Sequence, residues 1–405
     1  MAAASESNLA IARGLEPEAV AMAAALKEAF GPEAARQKFL GIGAELRATY
    51  VERESAVECI QLAALSGGHA LLVGPPGTGK SALFFGFLRS FTDARQFQTL
   101  VTKFGTEDEY FGPPKLSALK NDRWERNLEG RLAAVECAFL DEVFKGSDSV
   151  LNAFLSAMNE RLYKGQQIPL RLLVGASNEL PEEEILAAIY DRFLLRDVVE
   201  YIESEAVWMR VVKKAPVFTP SIQISLAEWQ GACADVGKVD VPDRVVAEML
   251  RVKKALKDVG IIASDRRWIA LTRVLQAAAW LDGCPAVELD HLAALRFGLW
   301  QKPDDRAQVK AVLATIDQSV VVRCTETIDN ALRAYANRPV DPGEYQRILP
   351  ELAAQMQDTA RNVTSQLKAG VTRRASARIQ PKMDELRDAY ASLKADLAKR
   401  FDLGT

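Results

Sequence analysis

Two rhythms of apolar and polar positions divide this chain. Between about residue 39 and residue 202, short apolar runs recur at 70–73, 98–101, 135–140, 170–174 and 198–202. Each has the length of a strand and little polar interruption, as strands buried on both faces do. Between them the spacing turns helical: within 147–159, Val150, Leu151, Phe154, Leu155 and Met158 share one face. Strands alternating with helices predict an α/β fold, with a five-stranded parallel sheet covered on both sides.

From about 203 the strand signal stops. Helical stretches run to about 303, punctuated by Pro216, Pro220, Gly231, Pro242, Gly260 and Gly283-Cys284-Pro285. Ser264-Asp265 ahead of Arg266 reads as a helix start, as does Asp290 ahead of His291. Residues 304–405 are poor in glycine and rich in Ala, Leu, Gln, Lys and Arg, which predicts long helices broken near 339–342. The alanine-rich residues 1–38, ending near Gly31-Pro32, read as a separate helical extension. The expected organisation is therefore an extension (1–38), an α/β core (39–202), an all-helical domain (203–303) and a C-terminal helical segment (304–405). A chain of 405 residues is too long for a single core.

Composition narrows the function classes. Hydrophobic residues at 49% and charged residues at 26% describe an ordinary globular protein. A net charge of −3, from 51 basic and 54 acidic residues, counts against nucleic acid as the partner. The five cysteines are widely spaced and form no C-x-x-C pair, and the two histidines lie in unrelated segments. Neither a disulfide framework nor a zinc site is expected, and reduced thiols point to the cytoplasm. No apolar run has the 18 or so residues of a membrane span.

The strongest chemical signal is Gly74-Pro75-Pro76-Gly77-Thr78-Gly79-Lys80-Ser81. It fits G-x-x-x-x-G-K-[ST], follows the apolar strand at 70–73 and precedes a helical run. Glycines let successive N–H groups turn toward phosphate oxygens, and the following helix presents its positive end to the same anion. Lys80 is expected on the β- and γ-phosphates of ATP, and Ser81 on Mg²⁺. A second apolar run ends in Asp141-Glu142, at the sheet edge where parallel sheets bind ligands. Asp141 is expected to hold the Mg²⁺ hydration shell and Glu142 to polarise the attacking water. A third run ends in Asn178, which can orient that water.

Six segments, GPPGTGKS (74–81), FLDE (139–142), LNAFLSAMNER (151–161), ASNELPE (176–182), YDRF (190–193) and SDRRW (264–268), together resemble the MoxR group of AAA+ ATPases, and most its RavA branch. The resemblance spans about 40–303. It implies a five-stranded αβα core with a helical lid, assembled as a homo-oligomeric ring, usually a hexamer, with ATP between neighbours. It also implies that Asn178 is the sensor-1 residue. Arg192 would be the arginine finger, with Arg196 as the alternative, and Arg266 the sensor-2 arginine, with Arg267 as the alternative. The segment near 102–131 would be the helix-2 insertion. Members of this group are thought to remodel partner proteins, commonly with a protein carrying a von Willebrand factor A domain. The RavA branch carries a β-rich module among its C-terminal helices, and 304–405 has no strand-like alternation to supply one.

Tyr110-Phe111-Gly112 reads either as a substrate-gripping loop or as core packing followed by a turn. Three activities compete: an ATP-driven protein remodeller, a nucleic-acid motor, and a scaffold that ATP merely switches. The near-neutral charge counts against the second, and Glu142 and Asn178 count against the third, because a pure nucleotide binder needs neither; the first is favoured.

Overall fold

A computed structural model of the chain describes residues 32–178, 180, 184–213, 217–316, 320–336, 342–368 and 373–401. Most of the expected N-terminal extension and part of the 176–182 segment lie outside the described residues. Five strands form one parallel sheet: β1 (Ala70–Val73), β2 (Gln96–Leu100), β3 (Cys137–Asp141), β6 (Leu172–Ser177) and β7 (Leu195–Val198), in the order β2-β3-β6-β1-β7. The central strands β1 and β6 are buried throughout, which is why they read as uninterrupted apolar runs. Edge strand β2 alternates instead, with Phe97 buried between exposed Gln96 and Gln98. In β6, Gly175 lets the Phe193 ring lie on the sheet: a Cβ there would stand 2.6 Å from the ring.

The last strand differs from expectation. The sequence predicts it at 198–202, whereas β7 occupies Leu195–Val198. The charged pair Arg196-Asp197 interrupts the apolar pattern, yet both side chains are buried. Arg196 donates to the carbonyls of Phe193 (3.1 Å), Trp300 (2.6 Å) and Tyr190 (3.0 Å) and lies 3.8 Å over the Tyr190 ring. Burial, reinforced by nearby Arg267, pulls its pKa down to about 9. A second departure is the antiparallel hairpin of β4 (Leu162–Tyr163) and β5 (Gln166–Gln167), turning through Lys164 (φ 48°) and Gly165 (φ 81°).

Two compact units account for the chain. The first comprises Met1–Asp240, Ala263–Pro285 and Phe297–Asp305. In it α1 (Pro32–Thr49) and α2 (Glu54–Ser66) precede β1, and α3 (Lys80–Arg89) follows it. Short helices α4 (Glu107–Phe111) and α5 (Leu116–Leu119) lie between β2 and β3. Next come α6 (Asp148–Glu160) ahead of β4, α7 (Glu184–Arg192) ahead of β7, and then α8 (Glu205–Lys213), α9 (Leu226–Val236) and α11 (Asp265–Asp282). Helix α9 starts in a capping box between Ser225 and Glu228, and α11 starts where the sequence places it, with Ser264 Oγ accepting from Arg267 N. Trp229 ties α9 to α2 through a bond to the Ala64 carbonyl, and Phe39 meets Trp280 edge-on.

The second unit holds α10 (Asp243–Asp258), nearly all of α12 (Asp305–Ile316), α13 (Val320–Ala336), α14 (Pro342–Lys368) and α15 (Arg373–Phe401). Helices α13, α14 and α15 have a core of their own, including Ile328, Leu349, Met356, Met383 and Leu386. At 27 and 29 residues, α14 and α15 each run about 40 Å. Among the described residues of 304–405 there is no strand. No helix is long and apolar enough to cross a membrane, among the described residues.

His69, one residue before β1, gives the first unit a pH dependence. Its Nδ1 accepts from Leu173 N (3.0 Å), so the neutral ring carries its proton on Nε2, which donates to the Met158 carbonyl (3.1 Å). Burial, and then the Arg161 charge, hold its pKa well below the ordinary 6.5. The unfolded chain therefore binds a proton near pH 6.5 that the folded chain refuses. Stability from this group is full above pH 6.5 and is lost as pH falls below it. Thermal unfolding followed from pH 7 to 5 should show a falling midpoint, with a shallower slope in His69→Gln; equal slopes would contradict this assignment.

Candidate active site

The loop leaving β1 is shaped by its glycines. Gly74 has φ 153°, and a Cβ on it would stand 2.1 Å from the Val199 carbonyl oxygen. Its N–H donates to the Ser177 carbonyl (3.0 Å), so the loop starts in register with the end of β6. Gly77 (φ 80°) and Gly79 (φ 85°) are left-handed, and Gly79 caps the ten-residue helix α3. The chain thus wraps back on itself and delivers the positive end of α3 to the loop interior.

Lys80 folds over this loop. Its Nζ donates to Gly74 O (2.6 Å), Pro75 O (2.9 Å) and Asn178 Oδ1 (3.2 Å). Burial lowers its pKa, while the charges of Asp141 and Glu142 oppose that shift. Asp141 closes the otherwise buried strand β3, and its Oδ1 accepts from Glu142 N (3.1 Å). Glu142 itself is left-handed (φ 52°, ψ 45°), a strained conformation for a residue with a side chain. The bend swings its carboxylate to Asn178, whose Nδ2 donates to Glu142 Oε1 at 2.5 Å; Lys145 Nζ lies 3.3 Å from Oε2. Lys80, Asn178, Glu142 and Lys145 therefore form one unbroken polar row.

The donor set suits Mg²⁺ bound with nucleotide. Among the described residues no cluster of three or more His, Cys, Asp or Glu could hold a metal ion alone. One hydroxyl, Ser81, and one carboxylate, Asp141, are what Mg²⁺ takes from a protein when phosphate oxygens and water fill the remaining positions.

The candidate arginines Arg192 and Arg266 lie at the other end of the strands. Arg192 and Arg266 line one pocket of about 260 Å³ with Gly68, His69, Arg161 and Arg267. His69 and Arg192 lead into β1 and β7, whereas Gly74 and Asn178 leave β1 and β6. In a parallel sheet these are opposite edges, separated by the four residues of β1, about 13 Å. Arg192 contacts Asp191 at 3.5 Å, and Arg266 is exposed. The two alternatives are committed to the fold. Arg196 is buried as described. Arg267 is 6% exposed and holds Asp191 together with the Leu194 and Gly298 carbonyls.

The aromatic pair Tyr110-Phe111 is core, not a gripping loop. Phe111 stacks on Tyr163 with centroids 4.0 Å apart, and Tyr110 meets Phe154 edge-on. The 102–131 segment instead exposes Phe104 (91%) and Trp124 (67%). Residues 113–115 pair with 125–127, with α5 at the tip.

Known proteins match this architecture. A family profile described as the MoxR domain in MoxR-vWA-beta-propeller ternary systems covers residues 37–215, and one for an AAA lid domain covers 244–313. The Methanocaldococcus jannaschii protein MJ0079, itself uncharacterized, is 38% identical over 277 residues, spanning 67% of this chain and 72% of that protein. MJ0812 of the same organism, also uncharacterized, is 36% identical over 277 residues, spanning 67% and 74%. The chain belongs to the MoxR group of AAA+ ATPases.

A crystal structure of a candidate ATPase from Cytophaga hutchinsonii shares the fold, with a TM-score of 0.57 and 20% identity over 70% of this chain and 94% of that one. Within this MoxR-type core, sequence reasoning passed over Lys145, Arg53 and Tyr201. Lys145 follows Glu142 at i+3 and had a local signal. Arg53 and Tyr201 reach the phosphate loop from 25 and 125 positions away, with no motif around them.

Proposed function

We propose that this MoxR-type chain hydrolyses ATP with Mg²⁺ between neighbouring copies of a ring, most simply a hexamer, and uses the cycle to remodel a partner protein in the cytoplasm. The observation that carries the reading is the row Lys80–Asn178–Glu142. It joins a phosphate-binding ammonium to a carboxylate base through one amide, at 3.2 and 2.5 Å.

Residues 74–81 would bind the phosphates through loop N–H groups, Lys80 and the start of α3. Ser81 and Asp141 would hold Mg²⁺, which neutralises charge on the transferring phosphoryl group. Lys80 has three N–H donors and spends all of them on protein oxygens. Contact with a phosphate oxygen therefore requires it to release one, and the 3.2 Å bond to Asn178 is the longest. Asn178 would then be free to orient water, and Glu142 to accept its proton. Arg192, at the far edge of the sheet, would serve a neighbour's γ-phosphate, with Arg266 beside it.

The matched profile is named for systems that pair MoxR with a von Willebrand factor A domain, so a protein of that class is the proposed partner. The RavA-type docking module is not part of the proposal, because α12–α15 supply no strand among the described residues. Full-length Glu142→Gln, held with ATP and Mg²⁺, should serve as a trap. A von Willebrand factor A protein enriched on it over Lys80→Ala is the expected capture. Identical captures by the two variants would contradict an ATP-dependent partner.

A further inference from the structure

The phosphate loop is braced from outside by side chains that the chemistry above does not use. Arg53, just before α2 and 9% exposed, donates from Nε to Thr78 O (3.1 Å) and from Nη1 to Glu52 O (2.7 Å). Tyr201, beyond β7, donates its hydroxyl to Pro76 O (3.3 Å). Glu52, left-handed at φ 59°, accepts the N–H groups of Glu203 (2.8 Å) and Ser204 (3.1 Å) on its two carboxylate oxygens. Segments 52–53, 76–78 and 201–204 are thereby closed into one circuit around the back of the loop.

We infer that Arg53 and Tyr201 are positioning residues for phosphate recognition, holding loop carbonyls outward so that loop N–H groups face inward. The inference rests on the nucleotide reading of residues 74–81. In a trans peptide the C=O and N–H point in opposite directions, and no peptide among the described residues is cis. Anchoring Thr78 O on Arg53 therefore turns Gly79 N–H to the other side. Anchoring Pro76 O on Tyr201 does the same for Gly77 N–H.

These two peptides need outside anchors more than their neighbours do. Gly77 and Gly79 are the least restrained residues of the loop, and nothing lies within 4 Å of where their Cβ atoms would be. Pro75 and Pro76 have no N–H to offer, so Gly77 and the residues after it must supply the donors. The first loop carbonyls are already held from within, Gly74 O by Lys80 and Pro75 O by Lys80 and Thr78 Oγ1. Arg53 and Tyr201 add outside anchors at Thr78 and Pro76.

Dissociation constants for ATP and ADP, measured on the full chain by fluorescence titration, test this beside turnover at saturating ATP and the thermal midpoint without nucleotide. Arg53→Met should weaken both nucleotides about tenfold or more, as loss of a hydrogen bond from a charged group does. Arg53→Lys should recover part of that loss. Tyr201→Phe removes one hydroxyl from an exposed ring, so folding is not at stake, and it should weaken both nucleotides about two- to threefold. Turnover at saturation should change less than affinity in each variant, and the Tyr201→Phe midpoint should not move. If wild type binds ATP while Tyr201→Phe and folded Arg53→Met bind it equally well, the brace is overturned. Should Arg53→Met fail to fold, an unchanged Tyr201→Phe overturns it. A wild-type chain that binds no ATP would overturn the nucleotide reading itself, and the brace with it.

Discussion

Arg192→Ala should fold and assemble as wild type does and hydrolyse ATP roughly 10³–10⁵ times more slowly, a barrier increase of about 4–7 kcal/mol. The size follows from what a guanidinium does at a γ-phosphate: it neutralises charge that develops only in the transition state. The position argues that the charge belongs to a neighbour. Arg192 ends α7 and lines a pocket at the strand edge opposite its own phosphate loop. Its one ion pair among the described residues, to Asp191 at 3.5 Å, is of the exposed kind worth under about 1 kcal/mol. Arg192 is thus weakly committed locally, whereas Arg196 and Arg267 are buried against carbonyls. Assembly read by light scattering and turnover read by phosphate release check the prediction together. Wild-type turnover in an assembled Arg192→Ala ring would remove Arg192 from the site.

Glu142→Gln should bind ATP and Mg²⁺ as wild type does while turnover falls by at least about 10²-fold, the usual contribution of a general base. Glutamine keeps the shape and can still accept from Asn178, so the Lys80–Asn178 arrangement should survive. It cannot take the proton of water. The left-handed backbone at 142 imposes the same strain on either residue, so the comparison isolates chemistry from folding. Equilibrium binding and single-turnover hydrolysis, measured on the same preparation, separate the two effects. Turnover equal to wild type would move the base elsewhere.

The sheet and the phosphate loop were legible because their physics is local. Apolar runs mark strands buried on both faces, and the glycine spacing of 74–81 encodes a backbone path that closes to other residues at Gly74, where a Cβ would stand 2.1 Å from Val199 O. Strand β7 was misplaced because Arg196-Asp197 carries surface chemistry in a buried position, where the carbonyls of Tyr190, Phe193 and Trp300 take up the Arg196 guanidinium. The β4–β5 hairpin escaped because strands of two residues leave no periodicity. Arg266 and Arg267 are adjacent in sequence and differ only in the face of α11 they occupy, one exposed and one buried. Spacing alone gives Asp141, Glu142 and Asn178 their places at strand ends. It does not give the amide of Asn178 bridging Lys80 to Glu142, which depends on the backbone bend at Glu142.

The central claim, that ATP is hydrolysed between neighbouring copies, is tested most directly by mixing two inactive variants. Lys80→Ala lacks a working phosphate loop and retains Arg192; Arg192→Ala has the reverse defect. Phosphate release should be low for each alone and should rise when the two are mixed under subunit exchange, because some interfaces then pair an intact loop with an intact arginine. A mixture no more active than the sum of its parts, with exchange demonstrated, would contradict the account.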